Sequence, residues 1–352
     1  MGNELSVRKN YWSLDLAKML CALLIISAHF ASEWGSFPSV IDYGFSIYII
    51  GVPFFFCCSG FLFFKKLDAL GTREEKHAYF VKYQKRIWIM YAGWPLIYLP
   101  FQVCIWISHG DVLGEFLKYV HSALVIQTFA TIWFLPALAI GVAITYFLVT
   151  RLSKGQMIAL AVVLYIIGML GYSYRFAADA IGLGGVYDAY LMVFETTRNG
   201  LFNAVPFIYM GALVARKDIA VGTKGFLKYG VLSAVSFVLM IGESFILKLK
   251  FNPKGMDIGI FVAVFTYFFI MMLLHIELKE NVLWLWCRKI SLGVFVSQRL
   301  FLTCLPFALP FVFEPLYSNS YIGLAAVIAM TVVFSIILSK LGEKVKAIKY
   351  LM

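Results

Sequence analysis

The sequence predicts an all-α integral membrane protein, about ten transmembrane helices in a single bundle with both termini cytoplasmic. Three observations carry that prediction. Hydrophobic residues make up 62% of the 352 and charged residues only 14%, where a soluble domain would be nearer a quarter charged. Uncharged stretches recur that are long enough to cross a ~30 Å hydrocarbon core, for which a helix needs about 20 residues. The apolar runs are continuous and do not alternate with polar residues, so helices and not a barrel are implied.

In chain order the spans fall at approximately 14–33, 44–64, 87–108, 130–150, 156–173, 200–215, 228–248, 258–275, 289–313 and 321–340. With the N-terminus inside, the segments 1–13, 65–86, 151–155, 216–228, 276–290 and 340–352 carry 22 of the 30 Lys and Arg. That bias puts both termini in the cytoplasm. Outside segments hold Lys118, Arg175, Arg198, Lys248, Lys250 and Lys254, which leaves Lys18 and Arg299 within spans. The run 119–150 is 32 residues without a charge apart from His121, too long for one straight span, and is expected to begin as an interfacial helix. Arg8 and Lys9 precede the first apolar run as in a signal peptide, yet Asp15 and Lys18 interrupt it and no cleavage site follows, so the span is expected to be retained. One membrane-embedded domain fills 1–352, without a repeat or a separate soluble domain.

A formal charge of +11 does not point to nucleic acid, because the basic residues sit in short loops between apolar spans. Cys21, Cys57, Cys58, Cys104, Cys287 and Cys304 lie mostly inside apolar segments, with neither metal-ligand spacing nor outside pairs. They read as packing residues. No metal and no tightly bound cofactor is expected.

The first span reads LAKMLCALLIISAHF, with ten residues between Lys18 and His29. At 100° per residue the two differ by three turns plus about 20°, so they share one helix face, about 16 Å apart along the axis. An ionisable group costs at least a few kcal/mol inside a membrane and persists where it has a partner or a function. Asp15, three residues before Lys18, supplies the bland alternative: an ion pair for a snorkelling lysine and a packed histidine. In the second span, GVPFFFCCSGFLFFKK, Pro53, Ser59 and Gly60 allow a kink and close helix contact. The segment Lys65–Arg86 holds seven basic residues, suited to anionic lipid headgroups or to a ligand phosphate. Glu243 in the seventh span, Arg299 in the ninth, and Glu195, Arg198 and Asn199 at the outer start of the sixth are further polar groups at membrane depth. Arg299 faces a polar cavity or pairs with a carboxylate such as Glu243.

These residues resemble the membrane acyltransferase-3 family, bacterial enzymes that modify surface polysaccharides and other envelope acceptors. The resemblance covers nearly the whole chain. It rests on Lys18 and His29 in LDLAKMLCALLIISAHF, then on VPFFFCCSGFLFFKK, YFVKYQKRIWIMY, TIWFLPAL, RNGLFNAVPFIYMGALVA and ISLGVFVSQRLFL, six segments in order. Two departures stand out: the family's R-x-x-R pair after the second span is here Lys82, Lys85 and Arg86, and the histidine many members carry in the ninth span is Gln298. The resemblance implies a cytoplasmic acyl-CoA co-substrate, usually acetyl-CoA, a glycan or lipid-linked hydroxyl acceptor, and a place in the bacterial cytoplasmic membrane.

O-acyl transfer from a thioester needs a base for the hydroxyl and positive charge or donors for the oxyanion. His29 is the expected base, and Lys18, Lys82, Lys85 and Arg86 are the expected holders of the donor's phosphates. Glu195, Arg198, Asn199, Glu243, Gln298 and Arg299 are candidates for the acceptor or for bracing the cavity. The rival class is a polytopic transporter whose Lys, His and Arg line a path; it predicts an inverted repeat and paired broken helices, and the sequence carries neither.

Overall fold

In the computed structural model, residues 10–38, 46–126, 131–253 and 255–351 are described. Arg8, Lys9, Lys254 and the starts of the predicted second and fourth spans lie outside the described residues.

Ten long or apolar helices run through the described residues and match the ten predicted spans. They are α1 (Trp12–Glu33), α2 (Gly51–Asp68, entered through a 3-10 turn at Ser46–Ile50), α3 (Arg73–His109), α5 (Phe134–Leu148), α6 (Lys154–Leu170), α9 (Gly200–Ala215), α10 (Thr223–Phe251), α11 (Ile260–Leu274), α12 (Val282–Ala308) and α14 (Ser320–Lys344). Shorter surface helices fill the connections: α4 (Val112–His121), α7 (Arg175–Ala180), α8 (Gly184–Phe194) and α13 (Pro310–Tyr317). Large apolar side chains such as Val231, Val238, Ile246 and Leu249 on α10 stand exposed. A helix face of that kind is at home in lipid and not in water. The chain is a multi-pass membrane protein.

One stretch differs from the sequence expectation and another follows it. The basic segment 65–86 is mostly helix and not loop: Lys65 and Lys66 lie in the last turn of α2, and Arg73 to Arg86 form the first four turns of α3, a helix of 37 residues and about 55 Å, longer than the hydrocarbon core. Its start is fixed by a capping box: the Thr72 hydroxyl accepts from the Glu75 amide, and the Glu75 carboxylate accepts from Thr72 and Gly71 amides. Those amide bonds hold the Glu75 carboxyl below the usual carboxylate range. The 119–150 run does break, as expected: α4 has no buried residue, then a π turn at Ser122–Ile126 precedes α5.

Inside the bundle α2 packs along α9, α1 along α12, and α10 along α11. Glycine makes the first of these possible. A Cβ on Gly60 would lie 2.3 Å from the Ile208 carbonyl oxygen, and one on Gly211 would lie 2.1 Å from that of Cys57. The backbones therefore touch, the close approach that small residues permit in membrane helices. Of the six free cysteines only Cys104 is exposed, in keeping with a packing role for the other five.

Helix length then positions the site. The α5 and α11 helices have 15 residues each, about 22 Å and short of the hydrocarbon thickness. Each is preceded at its outer end by irregular backbone, Thr131–Trp133 for α5 and Asp257–Gly259 for α11, and α9 is preceded by the turn through Arg198 and Asn199. Non-helical backbone at membrane depth is stable only where protein buries it or where it lines a polar cavity.

Candidate functional site

Those three turns meet the outer end of α1. His29, Tyr48, Thr131, Trp133, Arg198 and Asp257 line one cavity, floored by apolar side chains such as Ile25 and Phe295. The space between them is about 20 Å³, room for a single water molecule.

His29 is held in one orientation by α12. Its Nδ1 lies 2.8 Å from the Gln298 Oε1, and the Gln298 Nε2 donates to the Phe295 carbonyl at 2.6 Å. Because the amide nitrogen is committed to that carbonyl, the amide oxygen is what faces the ring, so Nδ1 carries the hydrogen and donates. The lone pair is left on Nε2. Gln298 is fully buried, so this tautomer is set by a group that cannot turn to water.

Opposite the imidazole, Arg198 and Asp257 form an ion pair. The guanidinium lies 4.7 Å from the centre of the Trp133 ring and 5.7 Å from that of Tyr172, a cation against aromatic faces. Asp257 is 3% exposed and Thr131 1%. The pair is incompletely satisfied: among the described residues Arg198 Nε and Asp257 Oδ1, like Thr131 Oγ1 beside them, are buried with no hydrogen-bond partner.

At the other end of α1, Lys18 binds Asp15 at 2.8 Å. The same carboxylate accepts from Arg288 of α12 at 2.8 Å, and Arg288 reaches Asn10 at 3.0 Å and lies over the Trp12 ring at 4.2 Å. Between Lys18 and His29 the shared face is closed, with Ala22 and Ile26 at 0% exposure and Ile25 at 2%.

The remaining expected residues are placed as follows. Lys82, Lys85 and Arg86 are exposed along the first turns of α3. Arg299 pairs with Glu33 at the end of α1, not with Glu243, and Thr303 donates to the same carboxylate. Glu243 instead accepts from the Ile260 and Phe261 amides at 2.7 and 2.9 Å and from the Tyr174 hydroxyl. The reason is local: the N-cap of α11 is Gly259, which has no side chain to serve the first free amides of the helix. Asn199 is likewise a cap, its Oδ1 accepting from the Leu201 and Phe202 amides at 3.0 Å. Glu195 is exposed in the left-handed region at φ 55. Of the candidates, His29 and Arg198 line the cavity, and Gln298 acts on it through His29.

Sequence reasoning missed Asp257, Tyr48 and Arg288, and it flagged Thr131 and Trp133 only as part of TIWFLPAL. Asp257 is the one carboxylate between Lys248 and Ile260, a lone acid just ahead of an apolar run, and that was the available signal.

The fold and site define a polytopic membrane protein built around a histidine at the wall of a polar cavity. The profile of the acyltransferase-3 family, described as an acyltransferase domain, matches residues 11–340, and the chain belongs to that family. Among curated proteins it is similar to an amino-acid racemase of Enterococcus faecalis, 25% identical over 345 residues, 96% of this chain and 46% of that one. A serine/alanine racemase of Enterococcus gallinarum is 24% identical over 268 residues, 74% of this chain and 37% of the relative. The chain thus spans about half the length, or less, of the curated relatives it matches. No solved structure matches it significantly.

Proposed function

We propose that this protein is a bacterial cytoplasmic-membrane O-acyltransferase that moves an acyl group, in the simplest case acetyl, from cytoplasmic acyl-CoA to a hydroxyl of a surface polysaccharide, lipid-linked glycan or other envelope acceptor. The observation that carries this reading is the His29–Gln298 contact, which leaves Nε2 as a base at the edge of a cavity built from three irregular turns. The acceptor oxygen attacks the thioester carbonyl carbon while its proton passes to Nε2. The C–S bond then breaks, and the departing thiolate takes the proton from the imidazolium.

Lys18, Lys82, Lys85 and Arg86 attract the phosphates of the donor, and Arg288, which shares Asp15 with Lys18, belongs with them. The pantetheine arm then spans the ~16 Å from Lys18 to His29. Since that face is packed, donor access requires α1 and its neighbours to part. The test is acetyl-CoA binding and turnover by purified protein in nanodiscs. Wild type binds and slowly hydrolyses acetyl-CoA, His29→Ala binds without turnover, and Lys18→Ala binds weakly; absence of acyl-CoA binding by wild type overturns the reading.

In a second reading, a polytopic transporter, the membrane unit passes a small amino acid, the class of compound that the relatives' names mention. It predicts serine or alanine flux into proteoliposomes that His29→Ala alters, with no acetyl-CoA turnover.

A further inference from the structure

Three residues that line the cavity opposite His29 each carry a buried polar atom without a hydrogen-bond partner among the described residues: Arg198 Nε, Asp257 Oδ1 and Thr131 Oγ1. Unpaired buried donors and acceptors are costly and rare, and three that line one cavity describe the ligand that completes them. Arg198 Nε offers a hydrogen and needs an acceptor. Asp257 Oδ1 needs a donor. Thr131 serves as either. The Arg198–Asp257 pair is already neutral as a unit. A ligand carboxylate here would be repelled by Asp257, a ligand ammonium would be repelled by Arg198, and a zwitterion would have to part the pair. A neutral hydroxyl is at once donor and acceptor and satisfies the pair without opening it.

Resting on the acyltransferase reading above, we infer that Arg198, Asp257 and Thr131 form the acceptor subsite, and that it takes a neutral polyol. One hydroxyl takes the place of the single water that the cavity admits, between Asp257 and Arg198, and the walls part for the adjacent carbon to bring its hydroxyl to His29 Nε2. The subsite thereby selects for an uncharged pair of vicinal hydroxyls beside the acylated oxygen.

The experiment uses full-length protein in nanodiscs and follows tryptophan fluorescence and thermal stability. The probes are methyl glucoside, galactoside and mannoside, their uronate and 2-amino counterparts, and L-serine. At least one neutral glycoside binds saturably, and its charged counterparts and L-serine bind at least tenfold more weakly. Asp257→Asn and Arg198→Lys lower its affinity at least tenfold and Thr131→Val about threefold, the size of one lost hydrogen bond. Thr145→Val, which removes an equally unpartnered hydroxyl outside the cavity, changes nothing. Binding of no neutral glycoside, equal or tighter binding of a charged probe or of L-serine, or wild-type affinity in Asp257→Asn overturns the inference; the unpartnered atoms then hold water only. The probe comparison on wild type stands without any variant, should one fail to fold. Acetyl-CoA turnover in the same samples separates the two proposals: turnover without glycoside binding sinks the subsite and spares the enzyme, whereas glycoside binding without acetyl-CoA binding sinks the enzyme and leaves a polyol site.

Discussion

The two ends of α1 are built in opposite ways. At the cytoplasmic end, Asp15 is buried yet accepts from both Lys18 and Arg288. At the outer end, Arg198 and Asp257 have each other and still leave donors and acceptors unanswered. On the proposals above, the first cluster ties α1 to α12 while it supplies cations to the donor, and the second is completed by the acceptor. The first cluster also qualifies the role of Lys18, whose charge is shared with Asp15 before any phosphate reaches it.

The sharpest way to break the comparison is His29→Ala. Loss of a positioned base lowers acyl transfer by roughly 10²–10⁴-fold with little effect on thermal stability, read by turnover and by melting in the same nanodiscs. A fall in melting temperature with turnover intact would make the outer end structural after all. Next comes Asp15→Ala, which strands Lys18 and Arg288 and costs about 1–3 kcal/mol of stability, less than for a fully buried pair because the Arg288 side chain is 38% exposed. Detergent-resistance and melting curves check it, and turnover without any stability loss would reverse the assignment of the two ends.

Gln298→Met has a smaller expected effect. It removes the acceptor for His29 Nδ1 and frees the ring to change tautomer, lowering turnover about tenfold, the equivalent of one hydrogen bond, with acetyl-CoA affinity unchanged. Gln298→Glu, which keeps an acceptor at the same place, restores most of the rate; a merely structural role would show no such rescue. Smallest is Thr72→Ala, which deletes the cap of α3 and costs about 1 kcal/mol of helix stability, visible as faster amide exchange over the first turns of α3. It bears on neither end of α1 and marks the floor against which the other effects are judged.

Much of this was legible in the sequence, because the demands of hydrocarbon are simple. Ten apolar segments had to be helices, and the spacing of Lys18 and His29 had to put them on one face. The basic segment 65–86 was harder, since charge density reads as loop while the capping box at Thr72 and Glu75 reads as helix, and the cap won. Arg299 was matched to the wrong carboxylate, because nothing in a linear sequence says that Glu33 stands nearer than Glu243, or that Glu243 is needed by the bare amides after Gly259. Asp257 was passed over for a different reason. A single aspartate in an outer turn ordinarily faces water, and only the shortness of α11 draws this one down among Tyr48, Trp133 and Arg198.

The contact between Gly60 and Gly211 has a mechanical consequence. With backbone seated on backbone, α2 and α9 have no side-chain cushion across which to slide, so they travel as one stiff rib. Tyr48 enters one half of that rib and Arg198 leads into the other, so these two walls keep their spacing whatever else shifts. Compliance is left to the seam between the rib and the α1–α12 pair. Ile25, which faces Gly51 of α2, lies on that seam within the closed face from Lys18 to His29.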